Sequence, residues 1–207
     1  MRRGIWVAAA LAMWACGQAA EVRVDESKGI PPVKGSTEVA LGSFTCGMPI
    51  VSGDVTVQTK VVGNGCELSF DKDVPVIRAE DYTNIPDLKA ATALVQRIEL
   101  TVKKLAFTDA ATSMPLDLAT RVTSAQLSVN GQLVAEKDSL TSLPKTVTLS
   151  GAALEAMKSK IDARQPASVR TRVVLVLPNM PPPPQRLLID YDSQPAIILG
   201  AKAPTIF

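Results

Sequence analysis

The chain contains no histidine. That absence removes the commonest general base near neutral pH, the Ser-His and Cys-His nucleophile pairs, and the commonest metal ligand. Aromatic residues make up only 4% of the sequence, too few for the stacking platforms that grip bases or sugars. An excess of one charge is missing as well: 22 basic residues face 20 acidic ones, and two of the basic residues, Arg2 and Arg3, stand at the extreme N-terminus. The remainder is neutral and has no electrostatic footprint for a polyanion, so nucleic acid is not an expected partner. The sequence also lacks a G-x-S-x-G elbow, a G-x-G-x-x-G fingerprint and a phosphate-binding loop. These absences together predict a protein that is not an enzyme and uses no cofactor.

What is present is aliphatic. Val, Leu, Ile and Ala dominate a chain of 207 residues, long enough to bury the core of one domain. Residues Met1–Ala20 have the three parts of an export signal: Arg2 and Arg3, an apolar run from Ile5 to Ala15, and then small residues. The run is too short for a membrane span. Within it, Leu11-Ala12-Met13-Trp14-Ala15-Cys16 resembles the lipobox of bacterial lipoprotein precursors. The resemblance covers the leader alone. It implies that Cys16 is lipidated and becomes the first residue of a protein attached to the membrane of the cell envelope, facing the periplasm or the exterior. Ordinary cleavage near Gly17–Ala20, which would yield a freely secreted protein, is the alternative.

Residues 21–35, EVRVDESKGIPPVKG, mix charges with Pro31-Pro32 and show no sustained periodicity, so they read as a flexible tether. The folded domain is then expected over residues 36–207. Val55, Val57, Thr59 and Val61 alternate, Gly63-Asn64-Gly65 turns the chain, and Cys66, Leu68 and Phe70 share a face, which reads as a β-meander. Ile85-Pro86-Asp87 opens a predicted helix through Leu88, Ala91 and Val95. Between Arg97 and Thr108 the apolar parity switches from Ile98, Leu100 and Val102 to Leu105 and Phe107, which predicts a bulge at Lys103-Lys104. Asn130-Gly131 is a strong hairpin turn signal. Ser150 is placed to cap a helix whose Leu154, Met157 and Ile161 form a stripe. Ser168–Gly200 holds two long apolar runs about a proline-rich connector and reads as the central hairpin of the fold. The expected fold class is mainly β, a β-sandwich with one or two short helices.

Four groups of residues invite a functional reading. Cys46 and Cys66 are the only cysteines after the leader, and export would place them in an oxidising compartment, so they are expected to form a disulfide. Met180-Pro181-Pro182-Pro183-Pro184 is either a polyproline spur that a partner's aromatic groove could grip or a stiff connector that loses little entropy on folding. Asp71-Lys72-Asp73 and Asp190-Tyr191-Asp192 pair carboxylates at alternate positions, but neither has the further oxygens that calcium needs; no metal is predicted. Arg170 and Arg172 offer a face for an anion or the solvent side of a strand, with Asp162, Asp190 and Asp192 as expected partners. Ser142-Leu-Pro-Lys145 matches S-x-x-K only in letters, because Pro144 and the strand-like Thr146-Val147-Thr148 argue against the helix that motif requires. The resulting expectation is a non-catalytic lipoprotein of the cell envelope, a binding or structural module partnered by the membrane and another envelope protein. A secreted ligand-binding or adhesion domain is the alternative.

Overall fold

Alternating side chains and turn signals resolve into two antiparallel sheets packed face to face in a computed structural model that describes residues 21–42, 44–52, 55–90, 95–179 and 184–200, with only the backbone of 89 and 90. The leader, with Cys16, and residues 180–183 of the proline-rich connector lie outside the described residues. In chain order the strands are β1 (Glu21–Val24), β2 (Val33–Ala40), β3 (Ile50–Ser52), β4 (Val55–Val62), β5 (Gly65–Ile77), β6 (Val95–Asp109), β7 (Met114–Pro115), β8 (Ser124–Val129), β9 (Gln132–Glu136), β10 (Lys145–Thr148), β11 (Ala167–Pro178) and β12 (Arg186–Gly200). Helices α1 (Asp81–Asn84), α2 (Pro86–Ala90), α3 (Leu118–Arg121) and α4 (Gly151–Asp162) are short, and only α4 exceeds five residues. The fold is therefore mainly β and sandwich-like, as the periodicity predicts.

One sheet is built on β12. Along one side it pairs with β6 for nearly its full length; along the other, β2 covers Arg186–Ser193 and β1 covers Ile197–Gly200, laid end to end. Strands β7 and β10 line the outer side of β6. The second sheet runs β3-β4-β5-β11-β8-β9. Between the sheets, Leu68, Ile98, Leu100, Leu175, Ile189 and Ile197 are almost wholly buried, and this aliphatic layer carries most of the stabilising burial.

The expected central hairpin is corrected. Strand β11 lies in one sheet, between β5 and β8, and β12 lies in the other, so the connector crosses the sandwich instead of turning within a sheet. Both runs are apolar on more than one face, and each becomes a central strand; a two-stranded hairpin would not have covered them. The tether is corrected too. Residues 21–35 are folded: Val24 and Ile30 are fully buried, β1 pairs with the end of β12, and β2 begins at Val33. The folded domain thus includes residues 21–35 and does not begin at Ser36. Charges around Val22 and Val24 hid a strict two-residue alternation. Those charges cover the outer face: Arg23 meets Glu99 at 2.6 Å and Asp25 at 2.9 Å, and Arg97 meets Glu21 at 2.8 Å. Their stems lie beside Ile198, which is buried on that face.

Other local readings hold in part. The ladder between β6 and β12 skips Lys103, so the bulge turns Val102 and Leu105 to the same side. A second skip, at Gln96, brings Val95 and Ile98 inward together. Val95 read as helical because it follows Leu88 and Ala91 at helical spacing; α2 is described only over Pro86–Ala90, Ala91 lies outside the described residues, and Val95 opens β6. Asn130 (φ 47°) and Gly131 (φ 81°) form the two-residue turn between β8 and β9. Ser150 stands at the N-cap of α4 with no capping hydrogen bond from its side chain, while Met157 and Ile161 are buried. Helices α1, α2 and α4 all fall where β5, β6, β10 and β11 begin or end, at the same end of the sandwich as the start of β1.

Candidate functional site

The opposite end of the sandwich is made of loops. Here β4 turns into β5, β2 leads into β3, β6 leaves through β7 and α3 towards β8, and the proline-rich connector joins β11 to β12. The disulfide lies at this end. Cys46 and Cys66 are bridged with an S–S distance of 2.07 Å, a χ3 of 93° and Cα atoms 5.8 Å apart. The loop carrying Cys46 is further fixed by Thr59, whose hydroxyl accepts the Gly47 N–H at 2.8 Å and donates to the Met48 carbonyl at 2.7 Å. Gly47 has a φ of +100°, a conformation that favours glycine.

The connector is tied down on both flanks. The Asn179 N–H donates to the Asn64 carbonyl at 3.2 Å, and the Leu41 N–H donates to the Gln185 carbonyl at 2.7 Å. Of the five residues singled out there, Met180, Pro181, Pro182 and Pro183 lie outside the described residues, and Pro184 is buried. Pro184 lines a hollow of about 250 Å³ with Asp109, Met114, Leu116 and Asp117. Asp117 caps α3, accepting the Thr120 hydroxyl at 2.7 Å and the Ala119 N–H at 2.9 Å. The Thr120 hydroxyl first, and then the Ala119 N–H, hold its carboxyl below the usual range. Lys137 closes the far end of that turn, donating to the carbonyls of Ala119 and Val122.

This end also leaves large apolar side chains in solvent: Met48 is 64% exposed, Val61 61% and Met114 65%.

The charged motifs are dispersed. Arg170 faces Asp73 at 3.7 Å, and Arg172 donates to the Ser69 hydroxyl at 3.3 Å. Asp190 and Asp192 lie in the other sheet, beside Lys104 at 3.6 Å and Lys34 at 3.4 Å. The arginines therefore do lie on the solvent side of β11, but with partners from their own sheet, because β11 and β12 are not a hairpin. Ser142 closes a 3₁₀ turn by donating to the Ser139 carbonyl at 2.9 Å, and Lys145 opens β10. The two do not share a helix face.

The pattern of acid pairs concealed the residues between them. Lys72 and Tyr191 point inward from opposite sheets, with the Lys72 ammonium 5.9 Å from the centre of the Tyr191 ring. Tyr191 lies across β2 at Gly35, where a side chain would collide with the phenol hydroxyl. A lysine at an inward position of an otherwise apolar alternation, Leu68-Phe70-Lys72-Val74, was the signal available in the sequence. No protein-family model matches the chain, no curated protein matches it, and no solved structure matches its fold.

Proposed function

We propose that the protein is a non-catalytic lipoprotein of the bacterial cell envelope, anchored in the membrane by a lipid on Cys16, and that it works as a binding or structural module for another envelope protein. The observation that carries this reading is the Cys46–Cys66 bridge. It fits an oxidising compartment and leaves Cys16 as the cysteine not used by the domain. The position of β1 supports the same reading. Glu21 stands five residues after Cys16, at most about 17 Å of chain, so an anchored domain would sit close to the bilayer with its helix-capped end. The disulfide, Met48, Val61 and the proline-rich connector would then face away, towards a partner.

The test is fractionation of cells expressing the full chain and its Cys16→Ser variant, with metabolic labelling by a radioactive fatty acid. The parent is expected in the membrane fraction and labelled; the variant is expected unlabelled and released. A parent that is soluble and unlabelled overturns the anchor and leaves a secreted ligand-binding or adhesion domain.

A further inference from the structure

The strand pairing leaves a gap in the wall of the sandwich. Strand β4 pairs with β5 only as far as Ser69, so from Asp71 onward β5 has no strand neighbour on that side among the described residues. Pro75, which has no N–H to give, lies in this unpaired stretch. The gap opens a cleft of about 280 Å³ lined by Ser36, Thr37, Glu38, Ser52, Lys72 and Tyr191. A separate small void of about 40 Å³, lined mainly by apolar side chains such as Phe70, Leu105, Val173 and Ile189, shares Lys72 and Tyr191 with the cleft as its wall.

The polar groups in this cleft are unevenly satisfied. Glu38 is paired with Arg186 at 3.3 Å, and the Ser52 hydroxyl donates to the Glu38 carbonyl. Thr171, directly across the ladder from Lys72, donates its hydroxyl to the Lys72 carbonyl at 2.8 Å, which fixes the side to which Lys72 points. The ammonium of Lys72 itself has no anionic partner among the described residues, only the Tyr191 ring, and the Tyr191 hydroxyl makes no hydrogen bond there. A half-buried cation and a phenol donor thus meet in one cleft beside Glu38, whose carboxylate is held by Arg186. A carboxylate would take a charge-assisted bond from one and a hydrogen bond from the other. The void behind them holds roughly three waters' worth of space, enough for a short apolar tail and no more.

We propose that this cleft binds a small organic carboxylate, its charged group on Lys72 and Tyr191 and an apolar tail of about three carbons in the void. The proposal rests on the reading of the protein as a binding module but not on its anchor, so the soluble Cys16→Ser chain serves for the test and a failure here leaves the anchor untouched.

The experiment is an amide-detected NMR titration with three probes: butyrate, 1-butanol and inorganic phosphate. Butyrate is expected to saturate at about millimolar concentration, given so few atoms, with shifts centred on Lys72, Thr171 and Tyr191. The alcohol lacks the charge and phosphate lacks the tail, and each is expected to bind about tenfold more weakly or not at all. Lys72→Met keeps the length and the apolar stem of the side chain, and should weaken butyrate by about tenfold or more; Tyr191→Phe should weaken it several-fold. Absence of saturable shifts, shifts centred elsewhere, or butyrate affinity unchanged in Lys72→Met would each overturn the proposal. Equal affinity for 1-butanol would overturn the carboxylate contact, and equal affinity for phosphate would overturn the tail.

Discussion

The two ends of the sandwich are closed by different means. At the helix-capped end the closure is hydrophobic: Ile85, Leu88, Met157 and Ile161 are almost wholly buried, and the Tyr82 hydroxyl reaches across to the Gln165 carbonyl at 2.9 Å. At the loop end the burial of Leu41, Val122 and Leu177 is joined by covalent and polar ties, the Cys46–Cys66 bridge, the Thr59 hydroxyl and the Asp117 cap. Met48 and Val61 remain outside. Both ends bury apolar side chains, and the loop end adds a crosslink where Met48 and Val61 stay exposed.

The largest effect should come from the sealed end. Ile161→Ala leaves a cavity beneath α4 and should cost about 4 kcal/mol, seen as a lower midpoint in urea denaturation with an unchanged slope. A cost below about 1 kcal/mol would mean that α4 does not seal the core. Next is the bridge. The double variant Cys46→Ser with Cys66→Ser should lose roughly 3 kcal/mol on the chain-entropy model, and limited proteolysis should then cut first between residues 41 and 49. If cleavage instead began at the helices, the proposed division of roles would fail.

The smallest effect sharpens the comparison through pH. Burial, and then the negative charges of Asp81 and Asp162, push the Tyr82 phenol up to about 12. The neutral phenol is therefore favoured in the folded state. Its contribution is complete below the unfolded value of about 10 and is lost as pH rises from there towards 12, because the unfolded chain ionises first. Tyr82→Phe removes the bond to Gln165 at a cost of about 1 kcal/mol near neutrality. It should also flatten the fall in stability between roughly pH 10 and 12, measured by urea titration at each pH.

How much of this was legible in the sequence depended on the range of the interaction. Features set by neighbours along the chain were readable: the Asn130-Gly131 turn, the bulge at Lys103, the stripe of α4. The disulfide was readable too, because only two cysteines follow Cys16 and they have few alternatives. Features set by distant pairing were not. Nothing local tells β11 and β12 that they belong to different sheets, although a connector of seven residues is long for a hairpin. The strand at Glu21–Val24 has four residues and a partner nearly the whole chain away, so its propensity was too small a signal. The cleft was hidden for the same reason. Asp71-Lys72-Asp73 and Asp190-Tyr191-Asp192 drew notice for their acids, yet it is the middle residue of each that faces the other across the sandwich.

The placement of β12 also dictates when the protein can fold. Strands β1, β2 and β6 all take their backbone partners from the last described strand, with Glu21 opposite Gly200. While residues 186–200 are still being made, that sheet has no centre, and the apolar inner face of the other has nothing to pack on. Such non-local pairing delays folding until residues 186–200 are available, whatever the local propensities of the earlier strands. Until β12 is present, the earlier strands of that sheet lack the backbone partners that would hold them in register.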